Sequence, residues 1–111
     1  MRVIGGKYKG SKLLSADGSK IRPTSDRLKE SLFSIITSSK YKITISNCNV
    51  LDICSGSGSL GIEAFSRGAL SVYFIDKDYI SIKLVHKNIS KLKINEQIGK
   101  NIKIIKDEAT K

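Results

Sequence analysis

Asn49-Val50-Leu51-Asp52-Ile53-Cys54-Ser55-Gly56-Ser57-Gly58-Ser59-Leu60-Gly61 is the stretch on which the fold turns. An apolar run carries one acid, breaks into a loop with glycines at 56, 58 and 61, and resumes as Leu60-Gly61-Ile62-Glu63-Ala64-Phe65 with helical character. A strand, a tight ligand-cradling turn and a helix read this way in one dimension. The glycines permit the sharp turn and let a ligand and the sheet come close to the backbone. The helix is expected over Ser59 to Arg67, closed by Gly68 as C-cap.

Downstream the pattern repeats. Ser71-Val72-Tyr73-Phe74-Ile75-Asp76 is a second apolar strand ending in an acid. Tyr79 to Lys93 places Ile82, Val85, Ile89 and Leu92 at the spacing of one helical face. Asn101-Ile102-Lys103-Ile104-Ile105-Lys106-Asp107 is a third strand, again acid-terminated. Strand, helix, strand, helix, strand is the βαβαβ unit of a parallel, doubly wound α/β sheet. Cys48 to Ile53 is read as its first buried strand.

Upstream lies a basic arm. Residues 2–14 alternate short apolar stretches with glycine and read as a β-hairpin turning at Gly5-Gly6 or around Gly10. Lys7, Lys9 and Lys12, with Tyr8 between them, either grip a phosphate backbone and offer a stacking ring or keep an edge strand soluble. Ala16-Asp17-Gly18-Ser19 is a turn. Pro23 holds Arg22 extended, and Thr24, Ser25 or Asp26 can cap the helix that follows. Leu28, Leu32, Ile35 and Ile36 give that helix its apolar stripe, and it ends near Thr37-Ser38-Ser39. Arg22 and Arg27 flank its start, as phosphate ligands or as plain surface charge. Residues 1–47 form this arm, and 48–111 the ligand-binding unit.

The net charge is +10 in 111 residues, with only four arginines (Arg2, Arg22, Arg27 and Arg67) among the twenty basic residues. Residues 1–47 hold ten basic and three acidic side chains, against ten and seven in 48–111. The excess therefore sits in the arm, which suits a polyanionic partner there. Cys48 and Cys54 lack metal-ligand spacing and are read as reduced thiols. His86, the single histidine, falls inside a helix, and no His/Cys cluster suggests zinc. No apolar run is long enough to cross a bilayer, and Gly5-Gly6 interrupts the N-terminus before a signal-peptide core forms. A cytoplasmic protein that uses no metal and meets no membrane is expected.

The loop's ligand can be a dinucleotide or S-adenosylmethionine. Asp76 stands twenty residues beyond Gly56 at the end of the next strand, where a carboxylate accepts both hydroxyls of an adenosine ribose. A dinucleotide sets a pyrophosphate against the loop and helix N-terminus, and Asp52, just ahead of the glycines, would repel it. S-adenosylmethionine presents an ammonium and a sulfonium for that acid and a carboxylate for the loop amides. Asp107 at the third strand's tip can accept the adenine amino group. The three acids favour S-adenosylmethionine.

Arg2-Val3-Ile4-Gly5-Gly6-Lys7-Tyr8-Lys9-Gly10, then Arg22-Pro23-Thr24-Ser25-Asp26-Arg27, then Leu51 to Ala64 resemble bacterial RsmD-type enzymes. Ser66-Arg67-Gly68-Ala69 and Phe74-Ile75-Asp76-Lys77-Asp78 are similar too. The resemblance implies a Rossmann-like, S-adenosylmethionine-dependent methyltransferase fold acting on the exocyclic N2 of a guanine in 16S ribosomal RNA, free or in the assembling small subunit. It implies cofactor contacts from Asp52, Ser55, Gly56, Ser57, Gly58, Asp76, Lys77 and Asp107. It also places the hairpin lysines Lys7, Lys9 and Lys12 and Arg22, Thr24 and Arg27 on the RNA side.

Family members carry an Asn/Asp-Pro-Pro-aromatic motif at the tip of a fourth strand, where it holds the target amine. Pro23 is the one proline in this sequence, so no catalytic residue is assigned within it. The chain reads as the arm and cofactor half of the enzyme, with an open first-strand edge prone to self-association. A non-catalytic cofactor- or RNA-binding fragment that needs another chain is the alternative, and a nicotinamide-dependent oxidoreductase fragment is the third reading.

Overall fold

The acid-tipped apolar runs form one parallel sheet. The computed structural model describes residues 2–15, 23–38, 45–53 and 56–107, with 23–25 by backbone alone. Strands β1 (Asn49–Ile53), β2 (Ser71–Asp76) and β3 (Ile102–Lys106) lie side by side in that order, all parallel. Register sets Val50 beside Val72 and Val72 beside Ile102, then Asp52 beside Phe74 and Phe74 beside Ile104. Side chains two apart along a strand share a face. These residues, with Asp76 at the end of β2, therefore share one.

Helices cover that face. After α1 (Pro23–Ile36) in the arm, α2 (Ser59–Ser66) joins β1 to β2 and α3 (Tyr79–Lys91) joins β2 to β3. Both crossovers step the same way across the sheet, so right-handed connections lay both helices on one side. Val72, Phe74 and Ile102 are 0–1 % exposed beneath Ile62, Val85 and Ile89. Each such side chain stabilises by about 1.5–3 kcal/mol when taken fully out of water. Gly61 is what lets α2 lie this close. A Cβ there would fall 2.4 Å from Cε1 of Phe74, a distance no packed core accommodates.

The hairpin stretch closes through an antiparallel bridge between Arg2 and Lys12, with the Val3 amide donating to the Ser11 carbonyl at 2.9 Å. Successive turns fill 5–10, and Gly6 and Gly10 both take positive φ. The loop is fixed to α2 rather than free. The Lys7 amide donates to the Ser66 carbonyl at 2.7 Å, and a Cβ on Gly6 would fall 2.0 Å from that same oxygen. Val3, Leu13 and Phe33 enter the core that Ile62 and Phe74 also build.

Three expectations need correction. The α1 stripe is turned outward: Leu28 and Ile35 are 69 % and 56 % exposed, and Leu32 is exposed too, while Lys29 and Phe33 are buried. Specific polar partners decide the rotation. The Lys29 ammonium donates to the Arg2 carbonyl at 2.6 Å and to Ser59 Oγ at 2.7 Å, and it faces the buried Glu63 carboxylate at 3.5 Å. Second, β1 is not a buried strand. Among the described residues it is the sheet's edge, and Leu51 and Ile53 are 55 % and 50 % exposed on the face that no described helix covers. Third, Tyr8 is not a free stacking platform. Its ring is half-buried and stacks on Phe65 at 6.4 Å between centroids and 14° between planes.

Candidate functional site

At the carboxyl ends of the strands, two acids and the glycine loop meet. Asp52 Oδ2 accepts the Gly61 amide of α2 at 3.1 Å. Gly58, the residue that caps α2, has no side chain to take an amide, so the carboxylate of the preceding strand serves a first-turn donor instead. It thereby sets a negative charge at the helix N-terminus, which disfavours a second anion there. Burial pushes the Asp52 carboxyl up to about 6; the Asp76 charge adds to this and the Gly61 amide opposes it.

Asp76 is wired differently. Its Oδ2 accepts the Gly56 amide at 3.0 Å and its Oδ1 the Asp78 amide at 2.9 Å. What little burial it has would raise its pKa, but hydrogen bonds from the amides of Asp78, Gly56 and Lys77 and from the Ser81 hydroxyl outweigh this and lower it. Asp76 thus stays ionised and fixes the start of the loop. Asp78 caps α3, accepting the Ile80 amide at 3.0 Å. Gly56 takes φ +57°, and a Cβ there would meet no atom within 4 Å, so the loop is open on that side.

The other expected site residues divide. Ser57 and Gly58 lie in the same loop, with the Ser57 hydroxyl accepting the Ser59 amide at 3.3 Å. Lys77 is exposed beside Asp76. Asp107 is exposed at the end of β3, and its amide donates to the Asp76 carbonyl at 2.9 Å, which brings all three acid-bearing strand ends to one rim. Ser55, Arg22 and the Thr24 side chain lie outside the described residues, as does Cys54. In the arm, Lys9 and Arg27 line one hollow of about 440 Å³ together with Arg2, Asp26 and Glu30. Lys7 lines a different one, of about 260 Å³, beside Tyr8 and Phe65, and Lys12 is exposed. Lys7 and Lys9 thus line different hollows.

Three polar residues of consequence escaped the sequence reading. Glu63 is fully buried and accepts the amides of Ile4 and Gly5 at 2.9 Å each and Arg67 Nε at 2.8 Å. Lys29 faces it, its pKa lowered by burial against the raising influence of Glu63. Asn88 is fully buried between the arm and the loop. An acid inside Ile62-Glu63-Ala64-Phe65 and an amide beside the Val85–Ile89 stripe were visible signals of buried polar groups. Lys29 gave none, because the outward stripe beside it dominates the pattern.

The parallel sheet, its one-sided helices and the acid-flanked glycine turn define a Rossmann-like methyltransferase fold. The Escherichia coli structure described as "Putative methyltransferase yhhF" superposes with a TM-score of 0.75 at 30 % identity, covering 98 % of this chain and 53 % of that one. The chain belongs to the RsmD family: the family described as "Conserved hypothetical protein 95" matches residues 1–111. "Ribosomal RNA small subunit methyltransferase D" of Escherichia coli is 38 % identical over 93 residues, 84 % of this chain and 44 % of that protein. "Putative rRNA methyltransferase YlbH" of Bacillus subtilis is 41 % identical over 96 residues, 86 % of this chain and 50 % of its own length. The chain spans about half the length of these curated relatives. Among the described residues no helix is long and apolar enough to cross a membrane, and no cluster of His, Cys, Asp and Glu could hold a metal ion.

The rim fits S-adenosylmethionine chemically. Asp52 and Asp76 form an acidic pair whose repulsion a cationic group would relieve, and Asp52 already takes the Gly61 amide in the first turn of α2.

Proposed function

We propose that this chain is the cofactor-binding and RNA-facing part of an S-adenosylmethionine-dependent RNA methyltransferase. Its target is the exocyclic N2 of a guanine in small-subunit 16S ribosomal RNA, and its compartment is the cytoplasm. The observation that carries this reading is Asp52 on the Gly61 amide beside Asp76 on the Gly56 amide. When bound, S-adenosylmethionine supplies a methyl group on a sulfonium, open to in-line attack by a nitrogen. Asp52 faces the cationic part of the ligand, the amides of Ser57 and Gly58 beyond the Gly56 turn take its carboxylate, and Asp76, with Lys77 beside it, takes the ribose. Asp107 takes the adenine amino group, and Ser55 completes the loop. The protein's contribution to such a transfer is chiefly to hold donor and acceptor in line.

Residues 1–47 face the RNA in this reading. Lys9 and Arg27 share a hollow with Arg2 and contact the phosphate backbone, joined by Lys7, Lys12, Arg22 and Thr24. Phosphate contacts position an RNA without reading its sequence, which suits an arm rich in lysine. Calorimetry with S-adenosylhomocysteine and with NAD tests the cofactor assignment: S-adenosylhomocysteine binds and NAD does not. Binding of NAD alone would overturn it.

The exposure of Leu51 and Ile53 on the face of β1 that no described element covers favours one second reading. In it, residues 1–111 hold cofactor and RNA but act only with a further chain against that face. Methyl transfer from labelled S-adenosylmethionine to 30S particles by this chain alone excludes that reading.

A further inference from the structure

Asn88 is fully buried on α3 and belongs to none of the cofactor contacts assigned above. Its Nδ2 donates to the Leu14 carbonyl at 3.0 Å and to the Ser57 carbonyl at 2.9 Å, and its Oδ1 accepts the Leu14 amide at 2.7 Å. The paired bonds to Leu14 copy the exchange of one strand residue with its neighbour. The third bond reaches the glycine loop. Carbonyl and amide of a trans peptide point in opposite directions, so holding the Ser57 carbonyl toward α3 turns the Gly58 N–H away from it.

Lys29 makes a second link between the same two parts. Its ammonium joins the Arg2 carbonyl to the hydroxyl of Ser59, the first residue of α2. Packing alone does not call for either group. A buried amide or ammonium is costly unless every partner is present, and apolar side chains fill such positions elsewhere in this core. What the two residues share is that each bonds the arm on one side and the loop or its helix on the other.

We infer that Asn88 is a positioning residue that couples the N-terminal arm to the glycine loop, with Lys29 as a second strut. The inference rests on the cofactor reading above and deepens it: the element proposed to face RNA and the loop proposed to hold the methyl donor order one another. Coupling of this kind is reciprocal, so donor binding steadies the arm and RNA on the arm tightens the donor.

The test uses the full chain, S-adenosylhomocysteine as probe, the variant Asn88→Asp and the control Ile89→Val. Asn88→Asp keeps an acceptor for the Leu14 amide and loses both donated bonds. Ile89 is fully buried on the same helix, and its trimming loosens the core while leaving the hydrogen bonds of Asn88 to Leu14 and Ser57 in place. Calorimetry is expected to show affinity about tenfold weaker in Asn88→Asp and within about twofold of wild type in Ile89→Val. Hydrogen exchange supplies a readout that a merely structural role does not move. The ligand should slow exchange of the Leu14 amide in the wild type and in Ile89→Val, but not in Asn88→Asp. A folded Asn88→Asp with wild-type affinity overturns the inference, as does an equal loss in Ile89→Val. Leu14 exchange indifferent to ligand in the wild type overturns it with no variant needing to fold. A wild-type chain that binds no S-adenosylhomocysteine is a different result, removing the cofactor reading and this inference with it.

Discussion

Asp52 shows how one carboxylate can serve structure and ligand in opposite senses. It accepts the Gly61 amide, yet burial and the Asp76 charge hold its carboxyl up at about 6 against 3.8 when unperturbed. A pKa raised in the folded state means that folding favours the protonated acid. The stabilisation is therefore complete below about pH 4 and is lost as pH rises through about 6. With partial screening by solvent the loss is about 2 kcal/mol. Asp76, its pKa lowered, contributes in the opposite sense: its stabilisation is lost as pH falls below the ordinary carboxylate range, outside the Asp52 window. Denaturant melts between about pH 4 and 7 should show a decline in stability that Asp52→Asn abolishes. A cationic ligand reverses the benefit, because it prefers the ionised acid. S-adenosylhomocysteine keeps the ammonium, so its affinity should rise as pH climbs through about 6 in the wild type. The Asp52→Asn variant should bind more weakly, with a flat pH dependence. A pH-independent wild-type affinity would take Asp52 out of contact with the cation.

Elements rather than single residues explain which expectations held. β2 was legible to the residue, Ser71–Asp76, because an apolar run bounded by Gly68 and Asp78 leaves no other register. The core stripe of α3 was legible for the same reason: Ile82, Val85, Ile89 and Leu92 are all buried. The rotation of α1 was not legible. Periodicity measures where apolar side chains lie, whereas the helix turned to satisfy Glu63 with Lys29 and to place Phe33 under the Arg67 guanidinium, 4.9 Å from its ring centroid. A buried acid commits its neighbours more firmly than an apolar stripe does, since an unpaired buried charge costs several kcal/mol. Glu63→Gln should accordingly destabilise the chain by about 3 kcal/mol or more, measured by urea denaturation. The paired change Glu63→Gln with Lys29→Met should recover part of that loss. The Asp78 cap, by contrast, binds a single exposed amide. Asp78→Ala should cost about 1 kcal/mol, and a cost as large as that of Glu63→Gln would mean Asp78 holds more than the helix end. In the candidate site, the glycine and acid positions were readable from their spacing. The amide-to-carboxylate pairing was not, since it depends on how α2 and β1 meet in space.

At the scale of the molecule, the described residues finish the sheet on one face only. Leu51 and Tyr73 are neighbours in register on the other face, as are Ile53, Ile75 and Ile105, and no described helix lies over them. Parallel sheets are ordinarily covered on both faces, and monomers rarely leave apolar patches beyond a few hundred Å² in water. Among the described residues β1 adds an unpaired edge along that same patch, where a strand from another chain can pair. We propose that residues 1–111, alone in solution, associate through this edge and face. Sedimentation velocity should show mass rising with concentration. Ile53→Lys should oppose this, because a lysine at the strand's exposed position tolerates water but not a second apolar sheet. It should leave the helix-covered face, and hence the circular dichroism, unchanged. Hydrogen exchange locates the contact. Among the amides of Val50 to Ile53, those that point away from β2 should gain protection as concentration rises in the wild type and stay fast in Ile53→Lys. Firm protection of those amides in a dilute monomer would mean that the edge is closed within the chain, and that association, if observed, uses another surface.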